Sequence, residues 1–302
     1  KTEDHIIKFA FDTAQDLLKI GEDPLILDNE KEDRKVDPSK FLKWLMPQIN
    51  GDEMYYLLLD EVQKLGAFES VLNGFLRNSN VDVYVTGSNS RFLSKDILTE
   101  FEGRGDEVHI LPLSFSEYYA FIQGDKSEAY DDYSVYGGLP AVALMTTEEQ
   151  KTTYLISQMK NVYLRDIILR YSVQDEAALG EVMDVIASGI STLTNPRKIA
   201  STMNSVHGTT TCDTTVDKYI GYAEEAFILT RVKRYNVKGR KYIGTPYKIY
   251  FEDIGLRNAR LAFRQIEGTH IMENIIYNEH IFHNVIHLQI VFCHLADLLF
   301  LD

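Results

Sequence analysis

The nine residues Tyr55–Gln63, YYLLLDEVQ, constrain the fold more than any other stretch of the chain. An apolar run continues without interruption through Leu59 and stops abruptly at Asp60 and Glu61. A strand with one wet face alternates apolar and polar residues; an unbroken apolar run suits a strand covered on both faces, as in a parallel sheet. The flanking text agrees. IIKFA at Ile6–Ala10 and VDVYVT at Val81–Thr86 read as further strands, and Val108–Leu113 as another. Helical patterns lie between them: a short one over Asp12–Ile20, then Pro38–Asn50, where Phe41, Leu42, Trp44, Leu45 and Ile49 recur at helical spacing. Phe68–Arg77, Phe92–Phe101 and Phe115–Phe121 read the same way. Alternation of strand and helix predicts an α/β layer around a mostly parallel sheet, with its ligand at the carboxyl ends of the strands.

Those ends carry the chemistry. A carboxylate leaving an apolar strand suits Asp60 to a magnesium ion that bridges nucleotide phosphates, usually through water. The next residue, Glu61, is then placed to orient and deprotonate an attacking water. This is the pattern of the second (Walker B) signature of P-loop ATPases. Ser88 and Asn89, in the small polar string after Val81–Thr86, suit a sensor of the terminal phosphate, and Arg104 suits a phosphate contact. Plainer accounts stay open for each: a strand stopping at charges, a Gly-Ser-Asn-Ser turn, an exposed loop arginine. The phosphate cradle itself needs Gly-x-x-x-x-Gly-Lys-Ser/Thr, and no such string occurs between Lys1 and Asp60. The chain opens at Lys1 inside a folded-looking pattern, so we expect the first strand and its loop to precede it.

The text changes near Ser127. One long helical pattern covers Glu148–Leu169, and another Glu176–Ser191. Asn195–Ser205 and Thr210–Phe227 read as a helix-turn-helix pair. Ile228–Tyr235 and Tyr242–Phe251 read as a hairpin around Gly239-Arg240. Helix, helix and hairpin describe a winged helix. Its wing is basic, with Lys233, Arg234, Lys238, Arg240 and Lys241, and such a patch can contact DNA phosphates. The overall charge is −14, which disfavours non-specific nucleic-acid binding. The candidate recognition helix is also acidic, with Asp213, Asp217, Glu224 and Glu225 against one Lys218. Packing on the core or binding a protein partner is therefore an equal reading of this module.

Several strings together resemble a prokaryotic AAA-type P-loop ATPase family with an AAA_14 core and a DUF4143 carboxyl-terminal domain. They are LLLDEVQ, VTGSNS, the Gly-Arg before LPLSFSEYYAF, YGGLP, YLRDII, KIYFEDIGLRNA and MENIIYNE. The resemblance runs to about Glu279. It implies an ATP-binding core using magnesium, with Asp60 as the metal aspartate and Glu61 as the base. Ser88 or Asn89 would be the sensor and Arg104 a phosphate-facing arginine. It also implies a winged helix and a terminal region similar to restriction-endonuclease-like folds. Glu273 and Glu279 match the opening helix of that region, but its metal-binding carboxylates have no counterparts here, so no nuclease activity is expected.

The expected fold is thus α/β: a P-loop NTPase (AAA-like) parallel-sheet core over residues 1–126 lacking its first strand and P-loop. A helical and winged-helix domain follows over 127–255, and a truncated α/β tail over 256–302. Three readings stand: an ATPase, a DNA-binding regulator, and a fold-retaining fragment without nucleotide activity. Cys212 and Cys293 match no zinc spacing and read as buried thiols of a cytoplasmic protein. His280, His283, His287 and His294 share helical spacing, but no carboxylate or cysteine is placed to complete a metal site with them. No apolar run of about 18 residues suggests a membrane span.

Overall fold

A computed structural model describes residues 5–27, 34–87, 105, 108–207, 210–233, 246–264 and 267–281. The chain divides into two compact units, Lys1–Val108 and His109–Asp302.

In the first unit, strands β1 (Ile6–Ala10), β2 (Tyr55–Asp60) and β3 (Val81–Val85) form a parallel sheet in the order β1-β2-β3. The register pairs Ala10 with Asp60 and Leu59 with Val85, so all three strands stop at one edge. Tyr55, Leu57 and Leu59 are buried, while Tyr56 and Leu58 on the other face are half-buried. The core lies on the buried face. There Phe9, Phe11 and Phe41 pack with ring centroids 4.7 to 5.2 Å apart, and Leu17, Leu45 and Leu65 close around them. Helix α1 (Ala14–Lys19) follows β1, and α3 (Phe68–Phe75) joins β2 to β3. Between β1 and β2 lies α2 (Pro38–Leu45), capped by Asp37, whose carboxylate accepts from Ser39 N at 2.8 Å, with Pro38 at the first helical position. The helix expected to reach Asn50 instead tightens into a 3₁₀ turn at Met46–Gln48. Pro47 has no N–H to continue the α ladder.

The expected strand at Val108–Leu113 does not form. Val108 and Ile110 are exposed, and the backbone of Leu113 is engaged elsewhere: its N–H donates to Gly138 O at 2.8 Å and its carbonyl accepts from Tyr133 Oη at 2.8 Å. The second unit is largely helical. Helix α4 (Phe115–Ile122) starts with a capping box between Ser114 and Glu117. Then follow α5 (Lys126–Tyr136), α6 (Pro140–Ala143), α7 (Glu148–Ser157), a π-helical stretch at Gln158–Leu164, and α8 (Arg165–Tyr171). Glu148–Leu169, expected as one regular helix, is therefore interrupted by the wider π turn.

Next come α9 (Glu176–Ser188), α10 (Pro196–His207) and α11 (Asp213–Glu225), and the antiparallel pair β4 (Leu229–Lys233) and β5 (Tyr247–Phe251). Thr194 bridges Tyr247 on the strand pair. The unit ends, among the described residues, with α12 (Ile254–Arg260) and a helix over residues 268–281.

Two strings quoted from the sequence, YGGLP and EDIGL, interlock here. Buried Asp253 caps α12 by accepting from Leu256 N at 2.9 Å, and its other oxygen accepts from Gly138 N at 2.7 Å. Backbone N–H groups of Gly255 and Leu139 also point to it. Gly137 has φ +75, and a Cβ on Gly255 would stand 2.0 Å from Tyr136 O, so only glycine fits this approach. No helix of the described residues is long and apolar enough to cross a membrane.

Candidate functional site

The carboxyl edge of the three-stranded sheet gathers Asp60, Glu61, Gln63 and Thr86. Asp60 ends the central strand with an exposed side chain, and its Oδ1 accepts from Thr86 Oγ1 across the strand pair. The strand ends are tied by main-chain bonds: Phe11 N donates to Asp60 O at 3.0 Å, Thr86 N to Leu59 O at 2.9 Å and Val62 N to Thr86 O at 3.2 Å. Between them, Glu61 takes a left-handed backbone with φ 53. That conformation is uncommon for a residue with a side chain and persists where neighbours over-determine it. After it, Val62–Lys64 form a single 3₁₀ turn, with Val62 fully buried beneath. Gln63 Nε2 donates to Glu61 Oε2, while Gln63 Oε1 is buried without a hydrogen-bond partner among the described residues.

Of the residues picked out from the sequence, the structure thus places Asp60 and Glu61 together at the expected edge. Ser88, Asn89 and Arg104 lie outside the described residues, as do Phe92–Phe101. Thr86 and Gln63 were not singled out, although both stand in the strings that were quoted. Only the parallel register brings Thr86 opposite the end of β2, and no local pattern announces that.

Magnesium takes oxygen ligands, keeps several waters, and usually needs one or two protein carboxylates beside the substrate's phosphates. An exposed carboxylate held at a strand end fits that demand. Among the described residues, no group of three or more His, Cys, Asp or Glu is arranged to hold a metal ion by itself.

In the second unit, Lys233 stands exposed at the end of β4; Arg234, Lys238, Arg240 and Lys241 lie outside the described residues. The acidic helix α11 is partly neutralised by Arg231, another residue not singled out. Arg231 Nη1 bonds Asp217 Oδ1 at 2.5 Å, its Nε bonds Glu224 Oε2 at 2.6 Å, and its N–H donates to Glu224 Oε1 at 3.0 Å. Burial works against the charge of Arg231, and these carboxylates more than offset it, holding its pKa above the usual range. Glu225 accepts from Tyr171 Oη.

Cys212, expected to be buried, is exposed. It occupies the N-cap position of α11, with Sγ 3.1 Å from both Thr214 Oγ1 and Thr215 Oγ1. Those hydroxyl contacts lower its pKa to about 7. Cys293, His283, His287 and His294 lie outside the described residues.

Residues 8–119 match the AAA domain family, and residues 127–267 match a domain of unknown function, DUF8612. The second match differs from the DUF4143 domain implied by the sequence resemblance. An uncharacterized protein of Haemophilus influenzae is 32% identical over 235 residues, covering 76% of this chain and 58% of that protein. The uncharacterized protein MJ1544 of Methanocaldococcus jannaschii is 24% identical over 235 residues, covering 74% of this chain and 52% of its own. The chain thus spans about half the length of the curated relatives it matches. Among solved structures, the Walker-type ATPase PABY2304 of Pyrococcus abyssi aligns over 85% of this chain and 91% of its own, at 12% identity and a TM-score of 0.49. The residues that match the AAA domain family, 8–119, include most of β1, all of β2 and β3, and the Asp60–Glu61 edge.

Proposed function

We propose that the first unit is an ATP-binding, AAA-type ATPase core, and that the complete protein hydrolyses ATP with magnesium. The observation that carries this reading is Asp60: an exposed carboxylate at the end of the central parallel strand, oriented by Thr86 Oγ1. In this reading Asp60 holds the magnesium ion, which when bound neutralises phosphate charge. Glu61, one residue on, takes the proton of the attacking water. Ser88 or Asn89 senses the terminal phosphate and Arg104 contacts a phosphate. The 302 residues contain no Gly-x-x-x-x-Gly-Lys-Ser/Thr string, so the phosphate cradle is assigned to none of them. The location is taken as cytoplasmic.

Glu61→Gln tests the base. In a polypeptide that also carries a phosphate loop, the variant binds ATP with magnesium and does not hydrolyse it. Unchanged turnover would remove Glu61 from this role.

A second reading gives the helical unit a DNA partner through a winged helix. It is favoured by the order α9, α10, α11, β4, β5, with the Thr194–Tyr247 bridge adding a third strand position. It is also favoured by Arg231, which neutralises two carboxylates on α11. Duplex binding that weakens steeply with salt and is lost in Arg240→Ala supports it. Binding indifferent to Arg240 favours a protein partner for this module instead.

A further inference from the structure

We propose that Gln63 is the positioning residue of the Asp60–Glu61 site, its side-chain amide fixing the direction of the Glu61 carboxylate. The proposal deepens the nucleotide reading above and rests on it. A carboxylate that follows a strand end on a single turn has several rotamers open to solvent. General-base work requires one of them to be held within hydrogen-bond reach of its proton.

Three features of the turn point to Gln63 as the holder. First, the left-handed backbone of Glu61 is fixed from both sides. Val62 N reaches Thr86 O at 3.2 Å and Lys64 N reaches Glu61 O at 2.9 Å, above the fully buried Val62 side chain. This kink turns the chain so that the side chains two residues apart, Glu61 and Gln63, converge, and Gln63 Nε2 donates to Glu61 Oε2.

Second, the far side of the turn is anchored as well. Lys35 Nζ donates to Gln63 O at 2.9 Å and Val36 N to Lys64 O at 2.8 Å. Gln63 therefore sits on a fixed platform rather than on a loose loop.

Third, the amide is not arranged for its own satisfaction. Gln63 Oε1 is buried without a hydrogen-bond partner among the described residues. A glutamine kept only for packing would place its oxygen where a donor or water could meet it, because a buried unpaired acceptor is costly. Here the nitrogen stays on Glu61 and the oxygen goes unpaired among the described residues, so the contact with Glu61 sets the orientation.

The test uses the isotopically labelled chain without nucleotide. Two quantities are read by NMR: solvent exchange of the Gln63 side-chain amide, and the three-bond couplings that report the Glu61 side-chain rotamer. In Glu61→Ala, the Gln63 amide should exchange about tenfold faster, the factor one hydrogen bond supplies. In Gln63→Leu, the Glu61 couplings should move from single-rotamer values to rotamer-averaged ones. Unchanged amide exchange in Glu61→Ala, or unchanged couplings in Gln63→Leu, overturns the assignment. If Gln63→Leu does not fold, the Glu61→Ala arm decides alone, since it leaves Gln63 in place. A parallel ATP titration with magnesium, in a polypeptide that also carries a phosphate loop, separates the two claims. ATP binding with no Gln63–Glu61 coupling condemns the Gln63 assignment alone; coupling with no ATP binding condemns the nucleotide reading on which its catalytic meaning rests.

Discussion

Replacing Asp253 by alanine strands the backbone donors that join YGGLP to the start of α12. Gly138 N at 2.7 Å and Leu256 N at 2.9 Å lose their acceptor inside the protein, where water does not replace it. Each stranded donor costs roughly 1–3 kcal/mol, and the lost N-cap acts in the same direction. Against this stands the burial of the carboxylate itself, which pushes its pKa up to about 6 despite the four N–H groups that pull it down. Deleting the side chain returns that cost at neutral pH, but the donors outnumber it. We expect a net loss of about 3–5 kcal/mol, in the range found when one partner of a buried charged network is removed.

The pH dependence has a definite sign. A carboxyl whose folded pKa lies above its unfolded value contributes stability that is fully present below the unfolded value and is lost as pH rises through the folded one. The wild type therefore gains from Asp253 on acidification from pH 7 to pH 5, and alanine does not. The deficit of Asp253→Ala should be roughly 1 kcal/mol larger at pH 5 than at pH 7, given a folded pKa of about 6. Urea denaturation followed by far-UV circular dichroism at both pH values measures it. A loss under about 1 kcal/mol at pH 7, or a deficit that shrinks on acidification, would refute the reasoning.

Two further outcomes follow from the same geometry. Gly255→Ala should prevent the second unit from folding, because its Cβ would meet Tyr136 O at 2.0 Å and the carbonyl carbon at 2.5 Å; a soluble variant with wild-type melting contradicts this. Cys212 should alkylate with a half-maximal rate near pH 7, moving to higher pH in Thr214→Val/Thr215→Val, as read by mass spectrometry of iodoacetamide-treated protein; an unshifted profile contradicts the hydroxyl account.

Much of the fold was legible in the sequence for definite reasons. The unbroken run Tyr55–Leu59 reads as a strand and forms one, buried on one face and half-buried on the other, and Pro38 marks a helix start that the structure keeps. Val108–Leu113 misled because apolar content signals burial or pairing but cannot show which backbone groups do the pairing; here Gly138 and Tyr133 take them. No proline or glycine marks the π turn at Gln158–Leu164, so the long helical pattern concealed it. The candidate site was half legible. Asp60 and Glu61 announce themselves by interrupting an apolar run. Thr86 depends on inter-strand register, and the Glu61 kink uses a non-glycine residue at positive φ, so no glycine marked it. The joining of YGGLP to EDIGL spans 115 residues, beyond the reach of local patterns.

The central claim is that Asp60 serves a magnesium-bound nucleotide. Calorimetric titration of ATP, with and without magnesium, into a polypeptide that carries this chain together with a phosphate loop, in the wild type and in Asp60→Ala, tests it most directly. The account predicts ATP binding that magnesium strengthens in the wild type and does not strengthen in Asp60→Ala. No ATP affinity in the presence of magnesium, or the same magnesium effect in both proteins, would contradict it.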